Sequence, residues 1–255
     1  MHLGLENKVV LVTGGTKGIG RSITRGFLDE GSIVHFCSRT KADVEASEKQ
    51  LAKDYPQAKA YGSTVDVADQ TQLENWVTSC AEQNGRLDVV VANVSALAIE
   101  DTAESWRKAF ETDLLGLHVL TQAAIPHLEK TGGNIVTISS VSGRDIDFTT
   151  PSPYGPAKAA VIHYTASLAR KLAPKGVRAN TCSPGNIYIN DGVWGNVEKN
   201  MPELFKSQMD KNPMGRMGKA EEISDVVCFL ASERASFVSG TNVCADGALC
   251  QGVQF

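Results

Sequence analysis

The stretch from Lys8 to Gly31 constrains this chain more than any other. Lys8-Val9-Val10-Leu11-Val12-Thr13 is an apolar, β-branched run of the kind found in strands buried on both faces of a parallel sheet. It stops at Gly14-Gly15-Thr16-Lys17-Gly18-Ile19-Gly20. From Arg21 to Glu30 the apolar Ile23, Phe27 and Leu28 then recur at helical spacing, and Gly31 closes the helix. A strand, a glycine turn and a helix in that order gather free backbone N–H groups and the positive end of a helix dipole at one point, where a phosphate can lie against the main chain. Side chains there would hold the phosphate away.

Two phosphate chemistries use such a turn. Read from Gly15, the string misses the nucleotide-triphosphate loop G-x-x-x-x-G-K-[ST] in one place, because Arg21 stands where the lysine belongs. Read from Thr13, it is T-G-x-x-x-G-x-G, with Gly14, Gly18 and Gly20 at the spaced positions of a dinucleotide turn. The second reading is preferred; a tight turn without a ligand is the structural alternative.

The remainder alternates strand-like and helix-like segments without a break between domains. Strands are expected at Ile33–Cys37, Lys59–Val65, Leu87–Val91, Asn134–Ser139, Val177–Cys182 and Thr241–Ala245. Helices are expected at Lys41–Tyr55, Gln70–Gln83, Thr102–Lys130, Tyr154–Ala173 and Ala220–Ala231. Such alternation implies a single α/β domain spanning 1–255, a three-layer, doubly wound parallel β-sheet of the Rossmann type with right-handed crossovers. Ligands in that architecture lie beyond the carboxyl ends of the strands, and every motif below falls just after a strand.

Composition narrows the partners. A formal net charge of -4 suggests neither nucleic acid nor an anionic membrane surface. No run approaches the ~20 apolar residues of a membrane span, and no apolar signal region precedes the first strand. The six cysteines show no C-x-x-C pair and read as reduced thiols of a cytoplasmic protein. The five histidines form no ligand spacing, so no catalytic metal is expected.

Chemistry concentrates on Tyr154-Gly155-Pro156-Ala157-Lys158. Residues four apart share a helix face, so Tyr154 and Lys158 project side by side, and Pro156 is tolerated because it falls in the first turn. A lone tyrosine is a poor acid or base at neutral pH, whereas a neighbouring ammonium favours the phenolate. The end of the second strand speaks to cofactor choice. NAD enzymes place an acidic residue there, about 20 residues beyond the glycine loop, to bond the ribose 2′-hydroxyl. Here stand Ser38 and Arg39, with Lys17 inside the loop; a hydroxyl donor and a bidentate cation suit a 2′-phosphate, which favours NADP (NADPH) over NAD.

Together these motifs resemble the short-chain dehydrogenase/reductase superfamily in its compact single-domain form, and the resemblance runs from Thr13 to Ala245-Asp246-Gly247. It implies a catalytic set of Ser140, Tyr154 and Lys158. The serine is placed by S-x-x-G within Ser139-Ser140-Val141-Ser142-Gly143, and its hydroxyl would hold the substrate oxygen that Tyr154 protonates or deprotonates. The implied cofactor contacts are Gly14, Thr16, Lys17, Gly18, Ile19 and Gly20 in the loop, Ser38 and Arg39, then Asp66 and Val67 after the third strand. Asn93 after the fourth strand, Tyr154 and Lys158 themselves, and Pro184, Gly185 and Ile187 after the sixth complete them. The Cys37-Ser38-Arg39 and Ser139-to-Gly143 strings are similar to those of tropinone reductases.

Two positions depart from the family pattern. Ser95 in Ala92-Asn93-Val94-Ser95 replaces a glycine near the nicotinamide ribose. Asp113 replaces an asparagine whose backbone carbonyl, in relatives, holds a water linking the lysine to solvent. Asp113 is therefore counted with the catalytic residues: it either keeps that carbonyl and the helix distortion in an adjusted relay, the preferred reading, or pairs its carboxylate with Lys158 and weakens the lysine's hold on Tyr154.

The segment at about 186–213, with Trp194, Met201, Leu204, Phe205 and Met209, resembles the family's mobile lid and suggests a partly apolar substrate, although an amphipathic helix packing on its own core has the same pattern. Arg144, Asp145 and Asp147 lie between Ser140 and Tyr154, where surface solvation is preferred to substrate contact. The long helix and the Tyr154 helix carry apolar residues on more than one face, and the resemblance implies a homotetramer or homodimer with Gln251–Phe255 at an interface. The reading is an NADP-dependent oxidoreductase interconverting a ketone and a secondary alcohol. A dehydratase or epimerase on the same fold and an inactive dinucleotide sensor are the alternatives.

Overall fold

The computed structural model describes residues 2–252; of the segment expected at an interface, Val253–Phe255 lie outside them. The glycine turn joins β1 (Val9–Thr13) to α1 (Gly18–Asp29). There follow β2 (Ile33–Ser38), α2 (Lys41–Asp54), β3 (Lys59–Thr64), α3 (Gln70–Asn84) and β4 (Val89–Ala92). The helical stretch expected at Thr102–Lys130 is not one helix. It runs as α4 (Ala103–Ala109), a π-helical turn (Phe110–Leu115) and α5 (Gly116–Thr131). Next come β5 (Asn134–Ile138), α6 (Tyr154–Leu172), β6 (Arg178–Pro184), α7 (Val193–Asn200), α8 (Pro202–Lys211), α9 (Ala220–Ala231) and β7 (Asn242–Ala245).

All seven strands form one parallel sheet in the order β3-β2-β1-β4-β5-β6-β7. The order reverses between β1 and β4, so the carboxyl ends of those strands open a crevice there. Each strand feeds both faces. Val10 and Val12 of β1 pack with Ile23 and Phe27 of α1 and Ile223 and Val227 of α9. Val9 and Leu11 pack on the opposite face with Leu73 of α3, Leu120 and Leu128 of α5 and Leu168 of α6. A strand buried on both sides needs apolar residues at successive positions, which is why β1 reads as a continuous run.

Close backbone approach sets the positions of two site glycines. A Cβ on Gly20 would lie 2.1 Å from the Gly14 carbonyl oxygen, and one on Gly143 would lie 2.6 Å from the Lys158 carbonyl carbon. The first contact lets α1 start against the glycine turn; the second lets α6 press on the loop after β5.

Candidate active site

The glycine turn ends in a helix N-terminus with nothing of its own to cap it. Lys17 stands at the N-cap with no side-chain hydrogen bond, and the first turn of α1 holds no acidic residue. Gly14 and Gly18 take φ of +68° and +57°, a conformation open to glycine. An anion fits that end of the helix through the dipole and unspent N–H groups. Asn93 buttresses the turn: its Nδ2 donates to the carbonyls of Thr13 and Gly14 at 3.0 and 3.4 Å, and its N–H to Thr13 Oγ1 at 3.0 Å. Expected among the cofactor contacts, Asn93 spends its amide holding the end of β4 to the loop.

At the end of β2, Ser38 is half-buried and Arg39 exposed. Lys17 Nζ pairs with Asp43 of α2 at 2.7 Å, so an acidic residue shares this corner with the cations. Asp66 folds on itself, its Oδ1 accepting from the Ala68 N–H at 3.0 Å. Val67 beside it is buried under α5. Thr16 is buried in the loop and Ile19 packs against the core beneath it.

Beyond β5, Ser140 is buried and its Oγ both accepts from the Ser142 N–H and donates to the Ser142 Oγ, each at 3.2 Å. Asp147 accepts from the Ser142 hydroxyl, so a carboxylate stands one hydroxyl away from Ser140. Ser139 Oγ donates to the Lys158 carbonyl at 2.8 Å, which fixes α6 to the strand end. Tyr154 opens α6, with the Lys158 Nζ 5.8 Å from its ring centre. Lys158 is buried and donates to the Ile138 carbonyl at 3.3 Å.

Asp113 lies on the π-helical turn behind this pair. Its Oδ1 is 3.1 Å from Lys158 Nζ, and its Oδ2 accepts from the Ala96 N–H at 2.8 Å. The helix distortion and the carboxylate pairing, set apart as alternatives in the sequence, occur together. Ser95 Oγ accepts from the Leu97 N–H at 3.2 Å.

After β6, Ile187 bridges to Gly218 through its neighbours, the Tyr188 N–H and the Asn186 carbonyl, so its own N–H and carbonyl are left out of the bridge. Pro184 is buried, and a Cβ on Gly185 would meet Asp246 Cα at 2.8 Å. The apolar residues of the lid segment largely face each other: Trp194 and Val197 pack with Met217, Leu204, Phe205 and Met209, while Met201 is exposed. Phe148 reaches from the loop after β5 to Trp194, ring centres 5.5 Å apart. Arg144 donates to Cys244 Sγ at 3.7 Å and to the Gly252 carbonyl.

A doubly wound parallel sheet with an uncapped glycine turn at its switch point, and a Ser-Tyr-Lys cluster beyond the neighbouring strands, defines a class of dinucleotide-binding oxidoreductases. The sequence matches a family model described as enoyl-(acyl carrier protein) reductase over residues 14–249. It is 40% identical over 255 residues to isoepoxydon dehydrogenase from Penicillium expansum, covering 99% of this chain and 98% of the other. It is 32% identical over 247 residues to meso-2,3-butanediol dehydrogenase from Serratia marcescens, covering 95% and 94%. A solved structure of L-sorbose reductase from Gluconobacter frateurii, complexed with NADPH and L-sorbose, superposes with a TM-score of 0.89 at 25% identity, covering 99% and 100%. The chain belongs to the short-chain dehydrogenase/reductase family, and it is an oxidoreductase of that type acting at CH–OH or C=O groups with a nicotinamide dinucleotide.

Proposed function

We propose that this enzyme uses NADP(H) to interconvert a ketone and a secondary alcohol. The observation that carries the reading is the placement of Tyr154 and Lys158 one turn apart on α6, the lysine buried and tied to β5 beside Ser140. The bound nicotinamide would supply or accept the hydride. Tyr154 gives its hydroxyl proton to the forming alkoxide in reduction and takes it back in oxidation. The Ser140 hydroxyl donates to the same oxygen, and Lys158, held by Ile138, places a positive charge beside the tyrosine. The glycine turn would hold the pyrophosphate, with Gly14, Thr16, Lys17, Gly18, Ile19 and Gly20 around it. Ser38 and Arg39 would receive the 2′-phosphate, Asp66 and Val67 would flank the adenine, and Pro184, Gly185 and Ile187 would meet the carboxamide.

Among the relatives, meso-2,3-butanediol carries hydroxyls on adjacent carbons. The substrate panel therefore starts with α-hydroxyketones, against which NADPH is oxidised, and vicinal diols, against which NADP⁺ is reduced, and turnover in either direction tests the reading. Turnover that falls at least ~100-fold in Tyr154→Phe supports it. NADPH binding without turnover across the panel would shift the assignment to a non-redox enzyme or a sensor.

A further inference from the structure

We propose that Ser142, held by Asp147, forms a second oxygen subsite that makes the enzyme selective for ketones with a hydroxyl on the neighbouring carbon. The proposal rests on the reading of Ser140 as the serine that meets the reacting oxygen. Ser140 caps the single helical turn Val141–Gly143, so Ser140 and Ser142 stand on one tight loop after β5, their hydroxyl oxygens 3.2 Å apart. Gauche oxygens on adjacent carbons are spaced about as closely as two hydrogen-bonded hydroxyls. A substrate oxygen at Ser140 therefore brings its neighbour within reach of Ser142.

The direction of the hydrogen bonds sets the substrate class. Asp147 Oδ2 accepts from the Ser142 hydroxyl, while Oδ1 accepts from the Thr149 N–H and from Thr149 Oγ1, at 2.9 and 2.7 Å. The next residue, Phe148, packs on Trp194 of α7 and ties this loop to the lid. A carboxylate accepts and does not donate, so the Ser142 proton is committed to Asp147, and what Ser142 offers on its other side is a lone pair. That lone pair takes the proton of Ser140.

Ser140 has one proton to give. When it goes to the reacting oxygen, the Ser142 oxygen is left without a donor. An α-hydroxyl supplies one; a second carbonyl or a plain methylene does not. Ser142 is half-buried, so leaving its acceptor unpaired weakens the binding of such substrates. The neighbouring hydroxyl keeps its proton through the reaction, so Ser142 stays paired both in reduction of an α-hydroxyketone and in oxidation of the vicinal diol that it gives.

The test is the rate of NADPH oxidation by the full chain on acetoin, on butanone, which lacks the hydroxyl, and on diacetyl, which carries a carbonyl in its place. Hydroxycyclohexanone against cyclohexanone supplies a cyclic pair. In Ser142→Ala the ratio of kcat/KM for the hydroxyketone to that for the plain ketone should fall roughly 5- to 10-fold. In Asp147→Asn the side-chain oxygen can keep the Thr149 donors while the amide nitrogen faces Ser142, which frees the Ser142 proton for a carbonyl. The acetoin-to-diacetyl ratio should then fall by a similar factor, whereas mere loosening of the loop would lower both substrates alike. Either ratio unmoved in a variant with the circular dichroism of the wild type would overturn the proposal; if Ser142→Ala does not fold, Ser142→Gly carries the same comparison. Turnover of none of these carbonyls would remove the proposed function and the subsite with it, while turnover with unmoved ratios removes the subsite alone.

Discussion

Arg39 and Lys17 meet the cofactor corner on unequal terms. Lys17 is already paired with Asp43, whereas Arg39 stands exposed at the end of β2, so Arg39 is the cation better placed to take a 2′-phosphate. Charge-assisted hydrogen bonds contribute about 1.5–3 kcal/mol, so Arg39→Asp should raise the KM for NADPH roughly 10- to 100-fold and leave that for NADH little changed. Steady-state kinetics with both nucleotides decides it; an unchanged ratio would remove the preference for NADP. At this scale the sequence showed the side chains and hid the backbone. Tyr154 and Lys158 could be paired from their spacing, but the groups that hold the lysine and its carboxylate partner are the Ile138 carbonyl and the Ala96 N–H. Main-chain groups are present at every residue and leave no residue-type signal, so the partner of Asp113 stayed open until the turn carrying it was placed.

Elements position those residues through close contacts that residue types only hint at. Gly143 lets the loop after β5 touch α6 at Lys158, and a methyl in Gly143→Ala would meet backbone atoms of Lys158 and Ala159 at 2.6 and 2.8 Å. Overpacking of that kind costs roughly 1–3 kcal/mol. Thermal unfolding should show Tm lowered by roughly 3–10 °C, with activity falling further than the loss of folded protein explains because Lys158 must move. At the start of α9, Glu222 pairs with Arg216 and accepts from the Lys219 N–H at 2.7 Å, and the guanidinium first, then the amide, hold its carboxyl at about 2 against an ordinary 4.5. A lowered carboxylate stabilises the fold above its ordinary value and loses that contribution as pH falls toward 2. The Tm difference between the wild type and Glu222→Gln should therefore be largest near neutrality and shrink steadily below pH 4.5; a constant difference would refute the link. Strand and helix existence was legible from apolar runs and helical periods, and α9 was read with both its ends. The break at Phe110–Leu115 was not legible from that periodicity, because one π-helical turn disturbs the pattern of so long a stretch only locally; the resemblance alone pointed to a distortion at Asp113, which the turn carries toward α6. Nor were α7 and α8 separable within the lid, whose apolar residues read equally as substrate wall or as the small core they form.

For the whole molecule, one rule made most of the fold legible: alternating strands and helices wind a parallel sheet one way, and the switch point between β1 and β4 follows from that winding. Surface association obeys no comparable rule, and the sequence reached it only as an expected pairing of helices. The structure supplies a candidate face. Trp106 at the end of α4 and Phe110 at the start of the π-helical turn lie one turn apart, 45% and 60% exposed, and Leu97 and Ile99 in the preceding loop are more than half exposed. Burying a large apolar side chain at an interface yields roughly 1.5–3 kcal/mol, and a charge placed there must be stripped of water instead. Phe110→Lys should thus shift light scattering at micromolar concentration from an oligomer toward smaller species, without changing the circular dichroism of the fold. The same turn carries Asp113, so a copy packed on this face would brace the segment that positions the Lys158 partner. Dissociation should then lower kcat more than it raises the KM for NADPH. A wild-type chain that scatters as a monomer would reject the pairing, and an oligomer indifferent to Phe110→Lys would move it to another face.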